Sequence, residues 1–303
     1  AGPIVRYRDI AKQLAERAVT REGLAYGVYR FTAGLSKKLL IADPVGQTAD
    51  SIFAIAALDL SAPVAWLGVV CYSLQIYFDF SGYSDMAIGI GRMFGFVIPE
   101  NFLHPYASQS VTEFWRRWHV SLSTWFRDYL FIPLGGNRGG AARTYLNLGL
   151  VFVLCGLWHG AAWTFVFWGL YHGLFLILER RWLKDVLQRT PRAVRHAYLL
   201  LVVLVGWSLF RAESVGDACA LVGAMAGFGA GDGIRQSVGL HLSNQGALAL
   251  AAGVFLSLPW IPWLRGRWAE KSSEATVPRV PVLIHAFGVA TQALLLWLCL
   301  LQM

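Results

Sequence analysis

The stretch "LCGLWHGAAWTFVFWGLYHGLFLILE", which runs from Leu154 to Glu179, is apolar enough to lie in a membrane yet contains two histidines. An ionisable group at membrane depth is costly and is a functional candidate by default. His159 is followed by Gly160 and two alanines, which interrupt a longer apolar run over 144–178. We therefore predict a histidine-bearing hairpin over 144–178, with a break at His159 that is buried in protein or lines a watery cavity.

The composition of the whole chain also indicates a membrane protein. Hydrophobic residues make up 56% of the 303 residues and charged residues only 15%, whereas soluble domains carry about 25% charged residues. The net charge of +8 lies in short segments between apolar runs, as expected for cytoplasmic loops, so we expect no nucleic-acid partner. The four cysteines have no metal-like spacing, and we expect no metal site. The fold class that follows is an all-α polytopic membrane protein with amphipathic interfacial helices.

The apolar runs indicate a single membrane-embedded domain over 1–303. We expect it to be incomplete at both ends, because the chain opens without a signal peptide and stops inside an apolar run. The predicted order is an interfacial helix (1–25), helices (26–98), an amphipathic re-entrant region (101–143), the hairpin (144–178) and C-terminal spans (197–303).

The positive charges predict the orientation of the C-terminal part. Loops 179–196 and 265–280 are both strongly basic and should face the cytoplasm. Two predicted spans, 197–210 and 246–264, separate them, which is the even number that a shared side requires. The region 211–245 between those spans should lie outside.

A second histidine lies in "VTEFWRRWHVSLSTWFRDYLFIPLGGNRGG", which runs from Val111 to Gly140. Its first part reads as one amphipathic helix, and an inward-facing apolar side would bring His119 towards His159. An interfacial aromatic helix with its arginines at the headgroups is the alternative. The residues that helical spacing places on one face are Trp115, Trp118, His119, Leu122 and Phe126.

Two histidines at one site suit acyl transfer to a hydroxyl. An imidazole with a pKa of about 6.5 accepts and returns a proton near neutral pH. His159 is the candidate base, while His119, the N–H groups of Trp118 and Trp158, or Arg117 can orient the donor or stabilise the oxyanion. The sequence has neither the Gly-x-Ser-x-Gly elbow of a serine hydrolase nor an HExxH zinc motif. The alternative for His159 is a packing role with a hydrogen bond to a carbonyl.

Two acidic residues are the remaining intramembrane candidates. Asp79 and Asp85 flank "FSGYS" between two apolar runs, 63–80 and 84–98. Each can serve as an ion site, or it can form a salt bridge or helix-end hydrogen bond, which we favour. We interpret His172 as a packing or interfacial residue.

Three stretches resemble the membrane-bound O-acyltransferase (MBOAT) family: "DFSGYSDMAIGIGRMFGF", "PYASQSVTEFWRRWHVSLSTWFRDYLFIPLGGNRGG" and "GLWHGAAWTFVFWGLYHG". The resemblance covers roughly residues 1–210. It implies a ring of tilted and broken transmembrane helices around a funnel or tunnel, with the functional positions at His159 and His119. The stretch "RDYLFIPLGGNR" is typical of the polysaccharide-acetylating branch, and it adds Asp128, Asn137 and Arg138 as supporting residues.

The resemblance also implies an activity and a location. The expected protein is an O-acetyltransferase of the bacterial inner membrane. It would move an acetyl group from a cytoplasmic donor, acetyl-CoA, towards hydroxyls of an extracytoplasmic polysaccharide, with alginate as the expected polymer. No bound cofactor is expected. The expected partners are membrane lipids, the acetyl donor and periplasmic or membrane-anchored polysaccharide acetylation proteins.

Two alternatives from other functional classes stay open. The first is a transporter or flippase for a lipid-linked or polysaccharide substrate, with Asp79 and Asp85 as ion sites. Inverted repeats would support it, but the histidine motifs are not repeated in the other half of the chain. The second is a non-catalytic scaffold of a polysaccharide acetylation complex, for which neither histidine would be needed.

Overall fold

The computed structural model describes residues 2–229, 237–260 and 282–302, with the backbone alone for 282–290. Every regular element within these ranges is a helix. π-helical turns at Lys37–Ala42, Arg127–Phe131 and Glu179–Leu183 continue α2, α6 and α8, respectively. The helices are α1 (Tyr7–Glu16), α2 (Arg21–Ser36), α3 (Asp43–Phe53), α4 (Ala62–Met93), α5 (Val111–Arg117), α6 (Val120–Phe126), α7 (Gly140–His159), α8 (Trp163–Leu178), α9 (Lys184–Arg189), α10 (Arg192–Arg211), α11 (Val215–Met225), α12 (Val238–His241), α13 (Asn244–Ser257) and α14 (Val282–Leu300).

Three of the described helices, α4, α7 and α10, are long and apolar enough to cross a membrane, while α11 and α13 are shorter apolar helices. These helices confirm the predicted all-α membrane fold. Helix α13 ends at Ser257, because the residue before Pro259 is driven into an extended conformation. It is therefore shorter than the predicted span over 246–264. The predicted cytoplasmic loop at 265–280 lies outside the described residues.

Helix α4 differs from the sequence prediction. The two apolar runs expected on either side of "FSGYS" form one helix of 32 residues, about 48 Å long. Asp79 and Asp85 therefore lie inside this helix. They are tolerated there because cations from α2 and its π-helical extension reach them. Asp85 accepts from Arg30 at 2.6 Å and Lys37 at 2.7 Å.

The N-terminal region also differs from the single interfacial helix predicted over 1–25. It contains α1, none of whose residues is buried, and the start of α2. The break between them is stabilised by Thr20, whose hydroxyl accepts a hydrogen bond from the Gly23 N–H at 3.0 Å. Thr20 is thus the N-cap of a second helix, and such a cap separates two elements that share one charge pattern.

Helices α2 and α4 cross closely in antiparallel fashion through paired glycines. A Cβ atom placed on Gly89 would lie 2.6 Å from the Gly27 carbonyl oxygen and 2.7 Å from the backbone nitrogen of Phe31. A Cβ atom on Gly82 would lie 2.7 Å from the Gly34 carbonyl oxygen. Small residues at such crossings let membrane helices approach through their backbones. The close crossing keeps the cations of α2 beside Asp79 and Asp85.

Helices α7 and α8 form an antiparallel hairpin that is joined at residues 160–162. Glycines again allow the approach, because a Cβ atom on Gly156 would collide with the Phe165 carbonyl, and one on Gly169 with the Phe152 carbonyl. Gly160 adopts φ 165° and ψ 165°, so the helix ends directly after His159. The hairpin therefore presents His159 at a break in the backbone.

We expect Gly89→Ala to destabilise the protein by about 1–3 kcal/mol, because the added methyl group meets rigid backbone. The matched control is Gly149→Ala in α7, where an added Cβ has nothing within 4 Å. The control should be neutral or slightly stabilising, since alanine favours helix over glycine. Thermal unfolding of both variants in detergent measures the difference. Equal unfolding temperatures would contradict the close crossing of α2 and α4.

Candidate functional site

Both candidate histidines line one cavity of about 410 Å³. Its wall is built from the middle of α4, the junction of α5 and α6, the end of α7, and parts of α8 and α10. Most of the lining is aromatic, and the polar side chains reach into it from different elements. The lining residues are Ile76, Asp79, Phe80, Tyr83, Trp118, His119, Trp158, His159, Trp168, Trp207 and Phe210.

His159 is the last residue of α7 and lies at the helix break. Its ring packs against Trp168 and Phe210, with centroids 5.1 Å away in each case. Across the described part of the chain, neither ring nitrogen has a hydrogen-bond partner. The alternative of a packing histidine bonded to a carbonyl is therefore not what the structure shows.

The single helix that we predicted to carry Trp115, His119 and Phe126 on one face is wrong. The helix is interrupted, because His119 has a left-handed backbone with φ 44° and separates α5 from α6. Such a conformation in a residue other than glycine costs of order 1–3 kcal/mol and is frequent at functional sites. The ring is 2% exposed and packs against Phe80 at 4.7 Å. Its Nε2 atom has no hydrogen-bond partner among the described residues.

Asn101 holds this break in place, and sequence reasoning missed it. Its side-chain oxygen accepts from the Ser121 N–H at 3.1 Å and the Ser121 hydroxyl at 2.9 Å. Its backbone carbonyl accepts from the Val120 N–H at 3.0 Å, and its amide nitrogen donates to Ser84 at 3.2 Å. The only sequence signal is a lone asparagine directly after a long apolar helix and Pro99-Glu100.

The two predicted tryptophans lie with the histidines. The Trp158 ring contacts both, with its centroid 4.9 Å from that of His159 and 6.1 Å from that of His119. Trp118 lines the cavity and packs against Trp207 at 5.0 Å. The predicted grouping of the two histidines with Trp118 and Trp158 is therefore a feature of the cavity.

Three predicted supporting residues are placed elsewhere. Arg117 forms an ion pair with Glu113 at 2.6 Å, one turn away on α5. Asn137 and Arg138 are exposed in the turn before α7. None of the three lines the cavity. Their supporting role stays a prediction, because the structure does not bring them to the histidines.

Asp128 anchors the N-terminal segment instead of lining the cavity. Its carboxylate accepts from Arg6 at 2.5 Å, Arg127 at 2.7 Å and Arg8 at 3.2 Å. The hydrogen bonds from Arg127 and Arg6 hold the pKa of the Asp128 carboxyl well below its usual range. Asp128 therefore stays ionised and ties the segment before α1 to the π-helical turn that follows α6.

Asp79 lines the cavity in addition to forming a salt bridge. Its carboxylate lies 2.9 Å from the Lys38 ammonium, which also contacts Asp43 at 2.8 Å. This agrees with the salt-bridge interpretation of the sequence. Within the described ranges, Asp79 is the only carboxylate in the cavity wall, and its charge is paired with that of Lys38.

His172 has the first of the two roles that the sequence left open, packing and an interfacial position. It is 1% exposed, and its ring lies edge-on to Trp115 and Trp168, at 5.2 Å from each. It does not line the cavity. Among the described residues, no cluster of three or more His, Cys, Asp or Glu side chains could hold a metal ion.

The fold and the site define a class of protein. It is an all-helical membrane protein with two histidines in one aromatic cavity, each at a helix break. The chain belongs to the membrane-bound O-acyltransferase family, whose sequence profile matches residues 1–216. That match includes both histidines and every helix that lines the cavity.

Several curated proteins are similar to this chain. A protein named "Probable alginate O-acetylase AlgI" from Azotobacter vinelandii is 52% identical over 229 residues, which are 76% of this chain and 46% of that protein. Its namesake from Pseudomonas fluorescens is 45% identical over 289 residues, or 94% of this chain and 57% of that protein. A "Peptidoglycan O-acetyltransferase" from Helicobacter pylori is 40% identical over 233 residues, or 75% and 44%. The chain thus spans about half the length of the curated relatives it matches.

We expect Asn101→Ala to lower the free energy of unfolding by about 1–3 kcal/mol, because the Ser121 N–H loses its partner in a buried site. Asn244→Ala is the control, since Asn244 is exposed at the start of α13. Thermal unfolding in detergent compares the two. If the variants unfold at the same temperature, Asn101 does not hold the break.

We expect Asp128→Asn to speed amide exchange in α1 a few-fold, because the anchoring charge is lost and local opening becomes easier. Since the folded-state pKa is depressed, wild-type anchoring is complete above the ordinary aspartate pKa of about 3.9 and is lost only below it. Exchange measured by mass spectrometry, corrected for intrinsic rates, should therefore be constant between neutral pH and that value. Asp185→Asn, at an exposed position, is the control, and equal exchange in both variants would refute the anchor.

Proposed function

We propose that the cavity is the acyl-transfer site of a membrane O-acyltransferase and that His159 is its general base. One observation carries the proposal: His159, at the end of α7, and His119, at the junction of α5 and α6, line the same cavity although they are 40 positions apart in the sequence. Among the described residues, neither ring nitrogen of His159 has a hydrogen-bond partner, which supports the proposal because a catalytic base needs a free lone pair for its substrate.

The chemistry follows from the groups available. His159 takes the proton of the acceptor hydroxyl while that oxygen attacks the acetyl carbonyl carbon and forms the new C–O bond. The carbonyl oxygen becomes negatively charged, and N–H donors in the cavity stabilise it. Collapse of this intermediate breaks the C–S bond of a thioester donor. The departing thiolate recovers the proton from the imidazolium, so the products are an acetyl ester and a thiol.

The other cavity residues have supporting roles in this proposal. His119 and the indole N–H groups of Trp118 and Trp158 are the candidate donors to the oxyanion. The aromatic wall excludes water, which strengthens these interactions and limits hydrolysis of the donor. Arg117, Asn137 and Arg138 would have to act at the entry of the donor or acceptor, since they do not line the cavity.

The names of the relatives support one polymer in particular, and the donor and the location are part of the same proposal. Because two of them are named as alginate O-acetylases, we propose that the acetyl group finally reaches a hydroxyl of an exopolysaccharide, with alginate as the first candidate polymer. Acetyl-CoA is the proposed donor. The proposed location is the bacterial inner membrane, where periplasmic or membrane-anchored acetylation proteins would receive the acetyl group.

The alternatives have less support. A transporter using Asp79 and Asp85 as ion sites would need carboxylates that are free to bind a cation, yet Lys38 is paired with the first, and Arg30 and Lys37 with the second. A scaffold would not need two histidines that line one cavity.

The test is polymer O-acetylation by the full-length protein in a host that makes an acetylatable exopolysaccharide. We expect His159→Ala to reduce the acetyl content to background, because loss of a general base slows proton transfer by about 10²–10⁴-fold. His119→Ala should cause a similar loss if both residues act in one site. Membrane levels of each variant are checked by blotting.

The control is His196→Gln, which lies outside the cavity and keeps a donor for the Ser108 carbonyl, 3.2 Å from His196 Nδ1. It should retain acetylation. Normal acetylation in His159→Ala would eliminate the proposed mechanism and favour the scaffold. A loss of polymer export together with acetylation would instead favour a transporter.

A further inference from the structure

A second cavity, of about 490 Å³, lies at the opposite ends of the helices that build the first. It is formed where α5 begins, where α8 passes into its π-helical turn, and where α10 begins. The two cavities share no lining residue. Along α8, His172 lies between Trp168 of the first cavity and Leu176 of the second, and its ring packs edge-on to Trp115 and Trp168. A molecule in the second cavity is therefore separated from the two catalytic candidates by an aromatic layer.

The second cavity is lined by four cations: Arg116, Arg180, Lys184 and Arg195. Across the described ranges, none of these side chains forms an ion pair or a hydrogen bond. The Nε atom of Arg195 is buried and still has no partner. A buried guanidinium N–H without an acceptor costs free energy. An anion bound at this site would supply the acceptor and stabilise the cations.

The two carboxylates in the same wall do not pair with these four cations. Glu179 is buried and accepts from the N–H groups of Val111 and Thr112 at 2.6 and 2.9 Å and from the Thr112 hydroxyl at 2.6 Å. Glu113 is paired with Arg117 at 2.6 Å. Both carboxylates therefore interact with groups of α5, and the four cations leave the cavity with an excess of positive charge.

Three leucines also line the second cavity, beside the uncharged polar side chains of Gln109, Ser110, Thr112 and Gln188. Leu148, Leu176 and Leu187 line it, and Trp182 in the adjoining π-helical turn is 62% exposed. Exposed tryptophans mark the interface between membrane and water, and the basic segment 179–196 indicates its cytoplasmic side. A cavity with cations and leucines at this level fits an amphiphile with an anionic head.

We propose that the second cavity binds the phosphate headgroup of an anionic phospholipid from the cytoplasmic leaflet, with an acyl chain along the leucines. Basic pockets between membrane helices on this side recognise such headgroups. Arginines suit phosphate because their N–H groups form two parallel, charge-assisted hydrogen bonds. The aromatic layer favours a resident lipid over a donor that must reach the histidines.

The test uses the full-length protein, delipidated in a neutral detergent and titrated with phosphatidylglycerol, phosphatidylcholine, inorganic phosphate or CoA. Binding is followed by native mass spectrometry. The variant Arg180→Gln/Lys184→Gln removes two cations from the wall, and both positions are exposed, so folding should be preserved. The control Arg189→Gln/Arg192→Gln removes the same charge from the same basic segment outside the cavity.

We expect phosphatidylglycerol to bind the cavity variant at least about tenfold more weakly than wild type, while the control changes little. Phosphatidylcholine should bind weakly to all three proteins. An equal loss in both variants would show general surface electrostatics and overturn the proposal. Binding of inorganic phosphate or CoA as tightly as phosphatidylglycerol would also overturn it, by identifying a site for soluble phosphates.

Discussion

The hydrogen bonds of Asn101 are the interaction on which the candidate site depends. A helix that breaks within an apolar environment frees backbone N–H and C=O groups, and each must find a partner within the protein. Asn101 supplies acceptors for the N–H groups of Val120 and Ser121, and the nearby Leu103 N–H bonds to the Arg117 carbonyl at 3.0 Å. These contacts compensate for the left-handed backbone of His119.

The helix break at His159 is stabilised in a different way, by the hairpin of α7 and α8. Gly160 allows the chain to leave the helix, and close glycine contacts between α7 and α8 keep the break surrounded by protein. Two different kinds of helix break therefore bring two imidazoles to one cavity. The aromatic wall packs their rings, and among the described residues no hydrogen-bond partner reaches the His119 Nε2 atom or either ring nitrogen of His159.

Most acidic side chains within the helices have partners of opposite charge or backbone N–H donors. The acids of α4 are matched by cations of α2 and its extension, at distances of 2.6–2.9 Å. The acids near the start of α5 are matched by backbone N–H groups and by Arg117. The cations of the second cavity are left without partners inside the described protein. Such an imbalance at a membrane surface indicates a ligand that comes from outside the chain.

The sequence by itself determined the all-helical membrane fold, the break after His159, and the pairing of two histidines with Trp118 and Trp158. Apolar periodicity, glycine and proline are local signals, and helical spacing already suggested that His119 points towards His159. The resemblance to the acyltransferase family then implied that both are functional positions. Only the tertiary structure decided that α4 is continuous, because its acids are neutralised by α2, which lies far away in the sequence. It also decided that α5 and α6 are separate helices, because the partners of that break come from Asn101. It assigned Asp128 to an anchor for the same reason: long-range partners outweigh local pattern wherever a polar group must be satisfied in an apolar interior.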